Sequence, residues 1–299
     1  MNNRLPNFLI VGAAKAATTS VHEYLKQHPD IYMTDIKEPC FFTFYNEDPP
    51  SFSNGGRVKF THNQHDYDKL FKGSELKKIK GESSTPYLFF HKKTINNIKK
   101  IVPNYRKIKI LIILRNPVDR AYSQYTMKVR DVVENLSFEE AIKREDERRK
   151  DNAHFDFFYL SRGFYYEQVK DYLENFDNVK IMFYDDFKNN RERFLSDILL
   201  FLGLNRIKFY PIEKQNVSGI PKLKWLNSLI FSRSIIGTAI SIFLSTKLKR
   251  RLKNKVVNFN IRTPPKMNSD TRSMVVNSYK KDIKKLEKLI DKDLSYWHE

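Results

Sequence analysis

The sequence is poor in several kinds of residue, and each shortage excludes something. A single cysteine, Cys40, among 299 residues leaves no intramolecular disulfide framework and no Cys-rich zinc or iron–sulfur site. Nine glycines and twelve prolines, with no repeat period, exclude collagen-like and low-complexity architectures. Long apolar runs are missing too. The longest weakly charged stretch, residues 234–246, has 13 residues, against about 20 for a bilayer span. The N-terminus carries one arginine and runs into a short apolar stretch at 8–11, so neither a signal peptide nor a membrane anchor is expected. That combination predicts a cytoplasmic protein, at most peripheral to a membrane. Negative charge is the remaining deficit: 35 Asp and Glu face 54 Lys and Arg, a net charge of +19.

What is present suffices for a core, since 40% of residues are hydrophobic and 14% aromatic, which excludes disorder. Runs of strand length at 8–11, 108–114 and 179–183 are apolar at nearly every position, as in strands buried on both faces of a parallel sheet. A further short strand is expected at 78–81. Between these runs, Tyr166, Val169, Tyr172, Leu173 and Phe176, and later Phe194, Leu195, Ile198, Leu199 and Leu202, recur at the spacing of one helix face. Alternating strands and amphipathic helices predict an open, mainly parallel α/β sheet flanked by helices on both faces. Residues 45–65 read as a long surface loop, 134–156 as a densely charged solvated helix, and 271–297 as a closing C-terminal helix. No linker forces a second domain, so 1–299 is read as one.

Two loops carry chemistry. After the first strand comes Gly12-Ala13-Ala14-Lys15-Ala16-Ala17-Thr18-Thr19-Ser20, small residues leading into a helix whose first amides are unsatisfied and partly positive, a ready anion site. Lys15 adds a full charge and the three hydroxyls add donors. The G-x-x-x-x-G-K-[ST] phosphate loop would place lysine at 18, where this chain has Thr18. An ordinary strand-to-helix turn with a Ser20–Glu23 capping box accounts for the same residues. After the strand at 108–114 comes Arg115-Asn116-Pro117, with Asn116 suited to an N-cap and Pro117 to the first helical position. Arg115 is then at the C-terminal edge of the sheet, where such folds bind ligands, and a guanidinium there can grip a phosphate. A surface pair with Asp119 is the alternative.

The segments FLIVGAAKAATTS and LRNPVDRAYSQY resemble the 5′-phosphosulfate loop and the 3′-phosphate motif of sulfotransferases that use 3′-phosphoadenosine 5′-phosphosulfate, particularly carbohydrate-type and bacterial members. HPDIYMTDIKEPCFF, GESSTPYL, RGFYYEQVKDYLENF, VKIMFYDDF, FLGL and DIKKLEKLIDKDLSYW extend the resemblance, in order, over nearly the whole chain. It implies a P-loop-like fold and a metal-free reaction. Lys15, Ala16, Ala17, Thr18, Thr19 and Ser20 would hold the 5′-phosphosulfate, and Arg115 and Ser123 the 3′-phosphate. Lys214, Ser218 and Gly219 would complete the nucleotide side. Glu38 matches the base of the glycan enzymes, and Lys15 would offset charge on the leaving oxygen. The acceptor implied is a carbohydrate, glycoconjugate or small hydroxyl or amine compound. Departures are Ala16-Ala17 where glycine is common, Cys40 where some members have histidine, and no lysine before the Thr85-Pro86 of GESSTPYL. His22 and His28 have no partner spacing that suggests a metal or relay and are read as structural.

Two rival classes remain from the residues themselves. A P-loop nucleotide kinase or NTPase would use 179–183 and Asp185 as its magnesium strand, although Asp185 and Asp186 suit the cap of a following helix. A non-catalytic basic protein would bind nucleic acid or acidic membrane, but no nucleic-acid recognition motif is found, so no specific nucleic-acid partner is expected. The charge is local: residues 214–269 hold twelve Lys or Arg and no Asp or Glu. This basic helical segment fits contact with a polyanion or membrane headgroups, while a buried helix followed by a solvated one explains it without a partner.

Overall fold

The structure is a computed structural model that describes residues 5–48, 51–53, 60–212, 219–223 and 259–299. Its centre is a five-stranded sheet made of β1 (Phe8–Gly12), β2 (Ile31–Met33), β3 (Ile79–Ser83), β4 (Lys109–Leu114) and β5 (Asn178–Phe183). The order is β2-β3-β1-β4-β5 and every pairing is parallel. Residues Phe8 to Val11 and Ile110 to Leu114 have no exposed surface, so apolarity at every position reflects cover on both faces. At the edge, β5 is half-exposed except at Met182 and Phe183. The expected strand at 78–81 forms as β3, starting one residue later and ending two residues later, whereas β2 has only three residues and carried no distinct signal.

The flanking helices follow the apolar spacing. Between β1 and β2 runs α1 (Thr18–Leu25), burying Val21, Tyr24 and Leu25. After Cys40 comes the single turn α2 (Phe41–Phe44), and then α3 (Gln64–Lys69). Between β3 and β4 lie α4 (Pro86–Phe89) and α5 (His91–Ile101). The long α6 (Pro117–Arg130) follows β4, with Asn116 as its N-cap accepting from the Val118 amide at 2.9 Å and Pro117 in first place, as expected. Residues 134–156 are not one solvated helix. They form α7 (Phe138–Lys143), α8 (Glu145–Lys150) and a 3-10 turn, and Glu134 and Glu145 are buried. Glu134 accepts both guanidinium arms of Arg148 and the Tyr159 hydroxyl; charge density misled because these charges pair inward.

Before β5 runs α9 (Tyr166–Asn175), in which Val169 and Tyr172 are buried and Leu173 is partly exposed. Next come α10 (Tyr184–Asn189) and α11 (Arg191–Leu202), the latter burying all five residues of the predicted apolar face. The loop after α2 is less solvated than expected, since Phe60 is buried against Phe44 and Phe155. A two-residue ribbon pairs β6 (Ile220–Pro221) with β7 (Ile261–Arg262). The closing helix α12 (Ser269–Ile290) ends earlier than predicted, and a 3-10 turn then buries Trp297 near Phe183 and Tyr165. Of the basic segment expected at 214–269, residues 214–218 and 224–258 lie outside the described residues.

Candidate active site

Five parallel strands end at one rim of the sheet, and the chain leaves β1 toward β2 and β3 on one side and β4 on the other. Crevices at such switch points bind ligands. There a cleft of about 290 Å³ is lined by Lys15, Ala17, Thr18, Thr19, Ser20, Lys37, Glu38, Thr85, Arg115, Ser123, Asp156 and Arg162, among others. The loops after β1 and β2 therefore face the residues that follow β3 and β4.

The β1 loop is tightly wound. Lys15 and Ala17 have φ of 68° and 62°, a region that residues with a Cβ seldom occupy and that clusters at functional sites. This turn starts α1 at Thr18 with Ala17 as N-cap and no side-chain cap. The Ser20–Glu23 capping box consequently does not form: Ser20 is already in the first turn, with its side chain at the cleft. The opening amides of α1 have no carbonyl within the helix to accept them. Ala16 does not line the cleft with its neighbours Lys15 and Ala17: it is fully buried in the core and its amide donates to Ala13 O.

Lys15 is held with its Nζ 3.3 Å from the Met127 sulfur, and no carboxylate pairs with it among the described residues. Burial, reinforced by the positive charges of Arg130 and Arg115, lowers its pKa to about 8. A lysine so placed gains strongly from an arriving anion. Arg115 donates through Nη1 to Lys15 O at 2.9 Å and lies 4.6 Å from the centre of the Tyr184 ring. It does not pair with Asp119, which bonds Arg272 instead. Its guanidinium is thus oriented by a carbonyl and an aromatic face, leaving other N–H groups for a ligand.

Glu38 faces the same cleft from the segment after β2. Its backbone is left-handed, with φ 59°, and its Oε1 accepts from Lys37 Nζ at 2.7 Å and Thr85 Oγ1 at 3.0 Å. Burial would raise its pKa, but the Lys37 charge and hydrogen bond outweigh that and keep it below the ordinary value. Glu38 thus pairs with its neighbour Lys37 and also lines the cleft.

Sequence reasoning missed Asp156 and Arg162. Asp156 accepts from Lys128 and Arg162, each at 2.8 Å; burial opposes ionisation, yet these cations hold its carboxyl well below the usual range. Both residues stand in short 3-10 turns after the charged stretch, where no periodic pattern singles them out. Only the placement of Arg162 within RGFYYEQ offered a signal.

Other expected residues fall elsewhere. Gly219 is buried beside the ribbon, where a Cβ would collide with Ile261, and it does not line the cleft. Lys214 and Ser218 lie outside the described residues. Asp185 and Asp186 sit in the first turn of α10 without capping it; neither lines the cleft, and β4 separates their strand from β1. His22 bonds Ser83 Oγ and Thr34 O, and burial lowers its pKa to about 3, while His28 contacts Asn205 O and the Asp30 amide. Both are held within the fold. Burial pushes the Cys40 thiol well up, which keeps it inert.

A parallel P-loop-like sheet with a cationic, hydroxyl-rich cleft at its switch point defines an enzyme class that handles anionic group donors. Residues 5–217 match the sulfotransferase domain family, and the chain belongs to it. The crystal structure of a sulfotransferase from Alicyclobacillus acidocaldarius is similar over 99% of both chains, with 31% identity and a TM-score of 0.73. The membrane-associated sulfotransferase kil1 of Dictyostelium discoideum is 23% identical over 294 residues, covering 71% of this chain and 59% of kil1. The human bifunctional heparan sulfate N-deacetylase/N-sulfotransferase 2 is 24% identical over 212 residues, covering 68% of this chain and 22% of that protein. The chain thus spans less than two thirds of the length of these two relatives.

Proposed function

We propose that this protein transfers the sulfuryl group of 3′-phosphoadenosine 5′-phosphosulfate to a hydroxyl or amine of a carbohydrate or glycoconjugate. The observation that carries the reading is the convergence of Lys15, the first turn of α1, Arg115 and Glu38 on one cleft. Lys15 lacks a carboxylate partner there among the described residues. The lining fits the donor, because cations and hydroxyls face the cleft where phosphate and sulfate oxygens need them. When bound, the donor supplies an activated sulfuryl group.

Lys15, Thr18, Thr19 and Ser20, with the opening amides of α1, would hold the 5′-phosphosulfate, and Arg115 and Ser123 the 3′-phosphate. Lys214 and Ser218 remain assigned to the nucleotide side by resemblance alone. Lys15 stabilises negative charge as it develops on the leaving oxygen. Glu38, kept ionised by Lys37, accepts the acceptor's proton, a contribution of about 10² to 10⁴ in rate. Positioning supplies much of the remainder. A glycan acceptor draws support from the heparan sulfate named in the human relative. The membrane association named for kil1 supports a peripheral location for this protein, with segment 214–269 against anionic headgroups.

The direct test is transfer of labelled sulfate from the phosphosulfate donor to a panel of acceptors, oligosaccharides and glycolipids first. Transfer that persists in excess chelator, without hydrolysis of nucleoside triphosphates, is expected. Triphosphate hydrolysis with no sulfate transfer would instead identify a P-loop NTPase.

A further inference from the structure

Glu82, in β3, has no exposed surface and takes no part in the chemistry above. Three hydroxyls donate to its carboxylate: Tyr87 at 2.5 Å and Tyr67 at 3.1 Å on Oε1, and Ser84 at 2.7 Å on Oε2. A hydroxyl has one proton to donate and lone pairs to accept with. With their protons directed at Glu82, Ser84 and Tyr87 present their oxygens outward. Ser84 Oγ accepts the Cys40 amide at 3.1 Å and Tyr87 Oη the Phe42 amide at 3.2 Å. Those amides belong to the turn that carries Glu38, whose own N–H donates to Ser83 O at 2.9 Å.

That turn needs holding. Glu38 and Cys40 both have left-handed backbones, with φ of 59° and 55°, which persist only where the surroundings impose them.

We propose that Glu82 is a positioning residue: it directs the Ser84 and Tyr87 hydroxyls so that their oxygens grip the Cys40 and Phe42 amides and fix Glu38 at the cleft. This rests on Glu38 being the base. Burial raises the Glu82 pKa to about 7, against the lowering effect of its three hydroxyl donors. The groups facing it are Tyr67 from α3, Tyr87 from α4, Ser84, the Cys40 thiol and, at longer range, Lys37 and Tyr172. The ionised form, able to accept all three protons, therefore predominates only above about pH 7.

The test is E82Q, which keeps the shape but places a donor where the carboxylate accepted. Expected are a fall in kcat of about tenfold, a KM for the phosphosulfate donor within about twofold of wild type, and loss of a wild-type limb in which kcat rises with pH near 7. In an E38Q background, E82Q should cost nothing further, because its effect passes through Glu38. S84A, which removes the Cys40 acceptor without adding a donor, should lower kcat similarly and serves if E82Q does not fold. An unchanged kcat in folded E82Q, equal losses in kcat and donor affinity, or an undiminished loss in the E38Q background would overturn the proposal. Full turnover in E38Q alone is a separate failure, that of Glu38 as base.

Discussion

Lys15 combines a left-handed backbone with an ammonium set against a thioether rather than a carboxylate, so its charge awaits an anion. Lys15→Ala should leave the fold intact and lower kcat by about 10² to 10³, the scale for loss of one preorganised electrostatic donor, checked by steady-state assay beside circular dichroism. The pH dependence has a definite sign. Free Lys15 titrates near pH 8, so its cation is present below that value and is lost above it. Affinity for a 3′,5′-bisphosphate donor analogue, measured calorimetrically, should be flat below pH 8 and weaken above it by up to about tenfold per pH unit. At Glu38, the proposed base, Glu38→Gln should lower turnover by about 10² to 10⁴ while analogue affinity stays nearly constant. Lys15 and Arg115 were legible because each directly follows a strand and precedes a helix. Asp156 and Arg162 were not, because tertiary folding alone brings their short turns to the rim.

Elements hold these residues through close contacts whose removal has predictable cost. At the end of β1, a Cβ on Gly12 would fall 2.6 Å from Leu88 Cβ in α4. The Thr85 residue that caps α4 directs its hydroxyl to Glu38. Gly12→Ala should therefore destabilise the protein by about 1–3 kcal/mol, as overpacking does, and reduce turnover as well. Asn116→Ala, which removes the cap of α6, should cost about 1 kcal/mol. Urea unfolding measures both; a Gly12→Ala midpoint equal to wild type would show that α4 yields freely. The strands at 8–11 and 108–114 could be read because cover on both faces writes apolarity at nearly every position, and edge strand β5, half-exposed up to Ile181, still shows an apolar run. Three-residue β2 is too short to carry such a pattern. The region 134–156 held an overlooked sign, Ser137 with Glu140 three residues on, and these form the capping box of α7. Its dense charge drew attention to solvent while Glu134 and Glu145 turned inward.

On the scale of the whole molecule, charge is distributed unevenly relative to the family match. That match ends at residue 217, and eleven of the twelve cations of segment 214–269 come after it. No helix among the described residues is long and apolar enough to cross a membrane. Juxtaposed with anionic headgroups, each lysine or arginine contributes about 1 kcal/mol, and the contribution fades within a Debye length. Replacing Lys249, Arg250 and Arg251 together with glutamine should then remove about 3 kcal/mol, roughly a hundredfold in partitioning onto phosphatidylserine-containing vesicles at low salt. Wild-type protein should sediment with those vesicles, be released by high salt and ignore neutral phosphatidylcholine vesicles, while kcat on a soluble acceptor stays unchanged in the triple variant. Equal sedimentation of variant and wild type would mean that these three cations do not contact the headgroups. Binding to neutral vesicles would point to the apolar stretch before it, because a headgroup field acts on the cations alone.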